Sequence, residues 1–267
     1  MINIQEMYNF DNFYVVITGG AGVLGSEMVR TLLQLNAKVV VLTRDISKTR
    51  FATNENLLLL KSDVTNRDLL EENARQIGEK FPRIDALINA AGGNSPQATT
   101  KEQSFFDLPT EALTWVTNLN LLGAILPCQV FGKKMLEHKH GNIINISSMA
   151  AMKPLTNIPA YSAAKAGLSN FTQWLAVHMA QEYSAQIRVN AIAPGFFLTE
   201  QNRFLLTTQS GELTERGKTI VAHTPMGRFG EPQDLVGTLL WLLSDASRFV
   251  TGTVIPVDGG FSAFAGV

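Results

Sequence analysis

The chain of 267 residues is expected to fold as a single α/β domain, with a doubly wound parallel sheet and helices on both faces. Three observations predict this fold. Short apolar runs alternate with longer segments of helical spacing, as in βαβ units, whose strands are parallel. Hydrophobic residues make up 45% of the chain and charged residues 17%, which suits one large core. Neither repeats nor low-complexity segments divide the sequence, so we expect one domain over 1–267.

The predicted strands are short and apolar, and lie at 13–18, 38–43, 57–61, 86–89, 142–147, 187–191 and 253–257. Helical spacing predicts helices at 23–35, 66–80, 111–136, 161–183 and 231–243. Residues 196–224 break this alternation with mixed polarity. Long insertions of that kind are often binding loops, so we call residues 196–224 the candidate lid.

Composition excludes several classes of partner. The net charge of −1 gives no basic surface for nucleic acid or for an anionic membrane. Cys128 is the lone cysteine, so an intrachain disulfide cannot form. The first residues lack the apolar block of a signal peptide, and no apolar stretch reaches the ~18 residues of a membrane span. We expect a cytoplasmic protein that acts on a small molecule, and we assign no metal ligands.

A glycine-rich turn, Thr-Gly-Gly-Ala-Gly-Val-Leu-Gly at 18–25, joins the first predicted strand to the first helix. It contains the pattern G-x-G-x-x-G. Such glycines let the backbone approach a pyrophosphate, and the helix N-terminus adds N–H donors and partial positive charge. In its strand–turn–helix context the motif predicts the dinucleotide-binding turn of a Rossmann fold, and a tight structural turn is the alternative. The residues assigned to this turn are Gly19, Gly20, Gly22, Val23, Leu24 and Gly25.

The end of the second strand distinguishes NAD from NADP. An acidic residue there binds the ribose 2′-hydroxyl of NAD, whereas an arginine accommodates the 2′-phosphate of NADP. Thr43 occupies this position and Arg44 follows, so NADP is the preferred cofactor and NAD the alternative. Asp45 weakens this preference, because it could repel the phosphate or pair with Arg44. An ordinary surface role for Arg44 also remains open.

Candidate catalytic residues surround the pattern Tyr161-Ser-Ala-Ala-Lys165. Residues four apart share one face of a helix, and a neighbouring ammonium lowers the pKa of a tyrosine. Tyr161 could then exchange a proton with an alcohol or carbonyl oxygen at neutral pH. Ser148 lies thirteen residues before Tyr161, and Asn120 lies in a predicted helix. In isolation, the Tyr/Lys pair would be read as a solvated helix face.

Together these motifs resemble the short-chain dehydrogenase/reductase superfamily over essentially the whole chain. The resemblance rests on the turn at 18–25, Asp63-Val64, Asn89-Ala90-Ala91-Gly92, Asn120, Ser148, Tyr161, Lys165, Pro194-Gly195 with Thr199, and residues 257–260. Two departures concern the phosphate contacts. The last-but-one glycine of the turn falls at Gly22, where the family often has it at the position of Val23. The family's N-N-A-G reads Asn-Ala-Ala-Gly here.

The resemblance implies a role for each matching residue. Ser148 would polarise the substrate carbonyl, Tyr161 would be the acid/base, and Lys165 would hold the nicotinamide ribose and tune Tyr161. Asn120 would anchor a water relay to Lys165. The implied cofactor contacts are Asp63 and Val64 at the adenine, Asn89, Ala90, Ala91 and Gly92 along the cleft, Pro194 and Gly195 beside it, and Thr199 at the nicotinamide amide.

Two polar segments are candidate substrate contacts, namely Asn94 with Ser95, and Gln201 with Asn202 and Arg203. Arg203 could bind a carboxylate in bidentate fashion, although a polar lid surface is the alternative. These segments, with 213–214, 223–230 and 260–267, resemble the D-mannonate oxidoreductase (fructuronate reductase) branch. That resemblance implies interconversion of D-fructuronate and D-mannonate.

Other functions remain open. A 3-oxoacyl-carrier-protein reductase would need a basic patch for its acidic carrier, and 203–216 has no dense Lys/Arg cluster. Another sugar or polyol dehydrogenase is a further alternative. A non-catalytic nucleotide-sensing Rossmann protein ranks lower, since it would not need both Tyr161 and Lys165. The family resemblance also implies a homotetramer, with 111–136 and 161–183 between subunits and 239–243 with the C-terminus at a second interface.

Overall fold

The computed structural model describes residues 3–199, 203–208 and 210–266. Their seven strands form one parallel sheet in the order β3-β2-β1-β4-β5-β6-β7. The strands are β1 Tyr14–Thr18, β2 Lys38–Thr43, β3 Leu57–Lys61, β4 Ala86–Asn89, β5 Gly141–Ile146, β6 Ile187–Pro194 and β7 Val254–Val257. The order reverses between β1 and β4, which is the arrangement of the predicted Rossmann fold.

Nine α-helices are present in the described ranges. They are α1 Ile4–Met7, α2 Val23–Gln34, α3 Arg67–Lys80, α4 Thr110–Thr117, α5 Gly123–Leu136, α6 Pro159–His178, α7 Arg203–Leu206, α8 Glu215–Ala222 and α9 Val236–Leu243. Two π-helical turns, Asn118–Leu122 and Met179–Tyr183, follow α4 and α6 directly. None of these helices is long and apolar enough to cross a membrane.

Helices cover both faces of the sheet because the central strands are apolar on both sides. Alternate strand residues point to opposite faces. Val15 and Ile17 of β1 pack with α2 and α9, whereas Val16 faces the cluster built by α3, α5 and α6. The predicted α/β class, the parallel sheet and the two helical layers are therefore confirmed.

The element boundaries differ from the prediction in three informative places. β6 continues to Pro194, because it pairs with β7 as far as Val257. The predicted helix 111–136 is interrupted by the π turn at Asn118–Leu122. The predicted helix 231–243 begins as a 3₁₀ turn, Pro232–Leu235, with Pro232 at its start. Proline suits such a start because its fixed φ matches a helix and its missing N–H is not needed there.

The candidate lid leaves the carboxyl end of β6 and contains α7 and α8. A short bridge between Thr207 and Leu213 closes the connection between these two helices. The C-terminal segment packs against the start of the candidate lid and against the residues just after its end. The Phe196 and Phe261 rings meet edge to face at 5.2 Å, and Met226 N donates to Gly259 O at 3.1 Å.

Candidate active site

The predicted site residues gather at the carboxyl edge of the sheet. The glycine turn follows β1, the segment 90–95 follows β4, Ser148 follows β5, and Gly195 follows β6. Ligands of open α/β sheets bind at this edge, at the point where the strand order reverses. In this chain that point lies between β1 and β4, so the two glycine-containing segments meet there.

The turn after β1 requires glycine at specific positions. Gly19 has φ +67°, and a Cβ on it would lie 2.6 Å from Ala91 N. A Cβ on Gly25 would lie 2.4 Å from Gly19 O. Gly22 caps the N-terminus of the twelve-residue helix α2 without a side chain. This bare helix end, with backbone N–H groups accessible from the turn, fits a dinucleotide pyrophosphate. Val23 and Leu24 form the first turn of α2.

At the adenosine end, the two charged residues after β2 have different surroundings. Asp45 Oδ1 accepts from Ser47 N at 3.0 Å and from Ser47 Oγ at 2.6 Å, and Asp45 Oδ2 lies 3.5 Å from Lys48 Nζ. Of the two alternatives for Asp45, pairing with Arg44 or repulsion of a phosphate, the structure shows neither, and Asp45 instead caps the 3₁₀ turn after it. Arg44 is exposed, and its charge helps to lower the pKa of Asp63, mainly depressed by a hydrogen bond from Thr65.

The segment after β4 is clamped by Asn120. Its Nδ2 donates to Gly93 O at 2.6 Å and to Val116 O at 2.8 Å, and its Oδ1 accepts from Gly93 N at 3.1 Å. Both amide donors are thus used by protein carbonyls. The side chain of Asn120 therefore clamps Gly93 in place. A water relay at this position would have to bind groups other than these two amide donors. The π turn places Asn120 inward, with 1% of it exposed.

Gly92 brings the clamp and Lys165 together. A Cβ at Gly92 would lie 2.8 Å from Asn120 Oδ1 and 3.3 Å from Lys165 Nζ. Lys165 is buried, and its Nζ donates to Ile146 O at 2.7 Å. Its Nζ also lies 5.7 Å from the centre of the Tyr161 ring. The structure therefore brings Asn120, Lys165 and Tyr161 to one place.

Burial controls the titration of this group. It lowers the pKa of Lys165 to about 8. It also raises the pKa of Tyr161, while a hydrogen bond with Ser148 acts in the opposite direction. The lowered pKa expected for Tyr161 is not seen in this structure, because desolvation of the phenolate outweighs the effect of the hydrogen bond. The Lys165 ammonium is directed at Ile146 O.

Ser148 lies at the start of a short turn after β5. Its Oγ accepts from Ala150 N at 3.1 Å, which leaves the hydroxyl proton available for a second partner. Ser148 acts on the pKa of Tyr161 as a hydrogen-bonding partner, so the two side chains are neighbours in the site. Two adjacent hydroxyl groups beside a buried lysine can hold a carbonyl oxygen and exchange a proton with it.

The remaining cofactor positions differ in how they face the cleft. The Asn89 side chain is 2% exposed and donates to Asn145 Oδ1 at 2.9 Å and to Cys128 Sγ at 3.2 Å. The side chain therefore faces the interior between β5 and α5, and a place for the Asn89 backbone on the cleft wall stays a prediction. Val64 packs so closely on α5 that a Cβ at Gly123 would lie 2.8 Å from it.

Other predicted positions stay near the edge. Ala90 and Ala91 continue from β4, and Ala91 N donates to Thr18 Oγ1 at 3.3 Å. Pro194 ends β6, and a Cβ at Gly195 would lie 2.6 Å from Asp258 Cβ. Thr43 ends β2 with its hydroxyl 3.4 Å from Asp45 N. Thr199 O accepts from Arg203 N at 2.9 Å at the start of α7.

The predicted substrate contacts are placed in part. Asn94 is exposed, and its Oδ1 accepts from Ser95 N at 2.9 Å. Arg203 is exposed in the first turn of α7. Gln201 and Asn202 lie outside the described residues. Sequence reasoning missed Gly93, whose backbone both accepts from and donates to Asn120. The signal available was the second glycine in Gly92-Gly93, directly beside the matched motif.

A family model described as enoyl-(acyl carrier protein) reductase matches residues 20–262, which is most of the chain. This match, with the parallel sheet, the glycine turn and the Tyr161/Lys165 pair, defines a class of nucleotide-dependent enzymes. The chain belongs to the short-chain dehydrogenase/reductase family. It is accordingly an oxidoreductase of the dehydrogenase/reductase kind, as the sequence predicts.

Full-length relatives support this assignment. The chain is 48% identical to UxuB, an uncharacterised oxidoreductase of Bacillus subtilis, over 100% of both chains. A solved structure from Haemophilus influenzae, provisionally described as a D-mannonate oxidoreductase with bound NAD, is 43% identical, with a TM-score of 0.90 over 99% of this chain and 100% of the other. A 3-oxoacyl-[acyl-carrier-protein] reductase of Thermotoga maritima is 32% identical over 92% of this chain and 96% of its own. The predicted likeness to the D-mannonate oxidoreductase branch is thereby confirmed.

Proposed function

We propose that the protein catalyses NAD(P)-dependent reduction of a keto sugar acid, with D-fructuronate and D-mannonate as the substrate pair. The observation that carries the substrate class is the likeness, over essentially the full length of both chains, to the Haemophilus protein described as a D-mannonate oxidoreductase. The likeness to the 3-oxoacyl reductase is lower in identity and makes that activity the second candidate.

The nicotinamide, when bound, would exchange a hydride with the carbonyl carbon. The chain's own residues would manage the oxygen. Ser148 would donate a hydrogen bond to the carbonyl oxygen and orient it. Tyr161, beside Ser148, would give its phenolic proton to the same oxygen as negative charge develops there. In the reverse direction Tyr161 would take the proton of the alcohol.

Lys165 would supply positive charge where that proton leaves Tyr161. Its pKa of about 8 means that it is largely protonated at neutral pH despite its burial. A protonated Nζ favours a developing phenolate. Lys165 would hold the nicotinamide ribose, and Gly92 leaves the space beside its Nζ free of a side chain.

NADP remains our preferred cofactor, with NAD as the alternative. The support is the separation of charges after β2. The carboxylate of Asp45 is engaged by Ser47 and Lys48. Arg44 stays exposed, and a guanidinium matches the geometry of a phosphate. The solved relative binds NAD, so both nucleotides need to be compared.

The substrate carboxylate is assigned to Arg203 of the candidate lid. Arginine binds carboxylates through two parallel N–H groups, and such charge-assisted bonds are worth about 1.5–3 kcal/mol. Arg203 starts α7 nine residues after Pro194, the last residue of β6, and the carboxyl end of β6 lies on the same sheet edge as that of β5. A lid that carries this charge would favour sugar acids over uncharged sugars.

The proposal is tested by following reduced nicotinamide during incubation with D-fructuronate or with a 3-oxoacyl thioester. We expect D-fructuronate to be reduced with the higher kcat/KM, and Tyr161→Phe to abolish turnover while cofactor binding persists. Arg203→Ala should raise KM for D-fructuronate about 10- to 100-fold. Arg216→Ala is the matched control, because Arg216 is an exposed arginine on α8 of the same lid.

Three outcomes would contradict parts of the proposal. Faster reduction of the thioester would replace the sugar acid with an acyl substrate. Equal KM in the Arg203→Ala and Arg216→Ala variants would remove the carboxylate role of Arg203. Cofactor binding without turnover of any carbonyl compound would favour the nucleotide-sensing alternative.

A further inference from the structure

The contact between α6 and β5 contains a line of buried polar groups. Asn145 and Ser147 come from β5 and the residue after it, and Ser169 and Thr172 come from α6. We call these four residues the polar seam. Asn145 and Thr172 are 0% exposed and Ser147 is 3% exposed. The surrounding cluster on this face is otherwise apolar, so these side chains stand out from their neighbours.

Each member of the seam is hydrogen-bonded across the interface. Asn145 Nδ2 donates to Thr172 Oγ1 at 2.9 Å, and Thr172 Oγ1 donates to Leu168 O at 2.8 Å. The Ser147 and Ser169 hydroxyl oxygens lie 2.7 Å apart, and Ser147 Oγ also donates to Lys165 O at 3.3 Å. Two strand residues thus bind two consecutive turns of the helix.

The seam is in register with the catalytic lysine. Lys165, Ser169 and Thr172 are spaced four and three apart, so they share one face of α6. Asn145 and Ser147 alternate with Ile146, whose carbonyl accepts from Lys165 Nζ. The lysine contact and the two seam contacts are therefore successive bonds along one line between the helix and the strand.

The line also extends into the sheet. Asn89 Nδ2 of β4 donates to Asn145 Oδ1 at 2.9 Å. This bond engages the carbonyl oxygen of the Asn145 amide. The NH₂ group of the amide, and not its oxygen, therefore faces Thr172. Three elements, namely the neighbouring strands β4 and β5 and the helix α6, are joined in this way by side-chain hydrogen bonds.

The hydrogen bonds of the polar seam can fix the register of α6 on β5, which apolar packing alone cannot fix. Hydrophobic contact is non-directional and tolerates sliding of a helix over a sheet. A fully satisfied polar network inside a core specifies one arrangement. Catalytic groups need such precision, since a misplacement of about 1 Å can cost about 100-fold in rate. The seam bonds begin one turn beyond Lys165, on the helix that carries Tyr161.

We propose that Ser169 and Thr172 are positioning residues, which hold α6 in register on β5 and thereby set the place of Lys165 and Tyr161. This inference rests on the proposed catalytic roles of those two residues. Ser169 and Thr172 touch neither substrate nor cofactor in this scheme. Their effect is transmitted through the helix backbone, including the Lys165 carbonyl that Ser147 contacts.

The test compares Thr172→Val, Ser169→Ala and Thr172→Ser with the wild-type protein. Valine keeps the shape of threonine and removes the hydroxyl, whereas serine keeps the hydroxyl. We expect Thr172→Val to lower kcat about tenfold or more, with KM for the carbonyl substrate within about threefold. Thr172→Ser should restore most of kcat. Ser169→Ala gives a second test at a less buried position, should Thr172→Val fail to fold.

Thr117→Val is the matched control. Thr117 Oγ1 donates to Leu113 O at 2.9 Å, the same bond to the preceding turn that Thr172 makes, but on α4. We expect its kcat to equal that of the wild type. Hydrogen exchange of the amides in α6, measured by mass spectrometry, gives a readout without substrate. It should accelerate in Thr172→Val and stay unchanged in Thr117→Val.

The outcomes separate the two proposals. Wild-type kcat in Thr172→Val and Ser169→Ala, or a Thr172→Ser variant as slow as Thr172→Val, would overturn the positioning role. If the wild-type protein turns over no carbonyl compound, the proposed function fails on its own. In that case the exchange measurement decides, and unchanged exchange of α6 in Thr172→Val would overturn the seam as well.

Discussion

Replacing Gly92 by alanine tests how closely the catalytic groups are packed. The added Cβ would lie 2.8 Å from Asn120 Oδ1 and 3.3 Å from Lys165 Nζ. Gly92 is not among the glycines with positive φ, so alanine fits the backbone itself. The whole effect of the substitution should therefore come from contact with these two side chains.

The geometry gives a magnitude. Ordinary contact begins at 3.4 Å, so Asn120 Oδ1 must move by about 0.6 Å. That displacement strains the bonds of the Asn120 amide to Gly93 and Val116. Overpacking of this kind costs about 1–3 kcal/mol, which lowers the Tm of a chain of this size by several degrees. Lys165 Nζ needs to move by only about 0.1 Å, so the displacement of Asn120 beside it should account for most of an expected loss of about tenfold in kcat/KM.

The assay measures kcat/KM with reduced cofactor and follows thermal unfolding by circular dichroism. Gly93→Ala is the matched control one residue away. Its Cβ would meet only Leu119 Cδ2, at 3.7 Å, which is ordinary contact. We expect Gly93→Ala to stay within about threefold of the wild type, since nothing must move. Equal activities of the two variants would refute the argument that Gly92 is needed for space.

Three further predictions concern charge and assembly. Arg44→Ala should weaken NADPH binding about tenfold and leave NADH binding unchanged in fluorescence titrations, and tighter NADH binding by the wild type would contradict the NADP preference. Lys165→Met should stabilise the protein by roughly 3 kcal/mol at neutral pH in urea unfolding, because folding lowers the pKa of Lys165 from 10.5 to about 8. The free energy of unfolding of the wild type should rise between pH 8 and pH 10.5, where the unfolded chain binds the Lys165 proton and the folded protein does not. The extra stability of Lys165→Met should therefore vanish above pH 10.5, and a pH-independent difference between the two proteins would contradict the lowered pKa. We propose a homotetramer that assembles through the faces of α5 and α6, where the apolar side chain of Val177 is 56% exposed. Val177→Glu should then give a smaller species than the wild type in light scattering. A monomeric wild type would contradict this assembly.

Much of the fold follows from local pattern. The glycine turn, the seven strands and the two helical layers are specified by apolar periodicity and by turn residues. The end of β6 could not be found in this way. A proline such as Pro194 locally indicates that a strand has ended. In the structure Pro194 instead lies opposite Val257 of β7, more than 50 residues later in the chain. Long-range pairing of this kind leaves no local signal.

The candidate site is predictable in membership and less so in geometry. The motif identifies Ser148, Tyr161 and Lys165, and the structure brings them together. Side-chain direction is the part that the motifs do not report. Asn89 faces the interior because Asn145 and Cys128 supply its partners, and Asp45 folds back on Ser47. The pKa of Tyr161 depends on burial, which spacing along a helix does not report.

The π turn at Asn118–Leu122 has a consequence for the length of the chain. An α-helix advances by about 100° per residue, so one additional residue in a turn rotates everything after it by that angle. Before the turn, α4 packs against Ala98 and Ala160, and after it α5 packs into the cluster around Ile143. Deleting a single residue here would turn one of these two faces toward solvent, whereas substituting an exposed one would not. The number of residues in the turn thus sets which face of α5 points to the core. We therefore expect functional homologues to have no insertion or deletion in this turn.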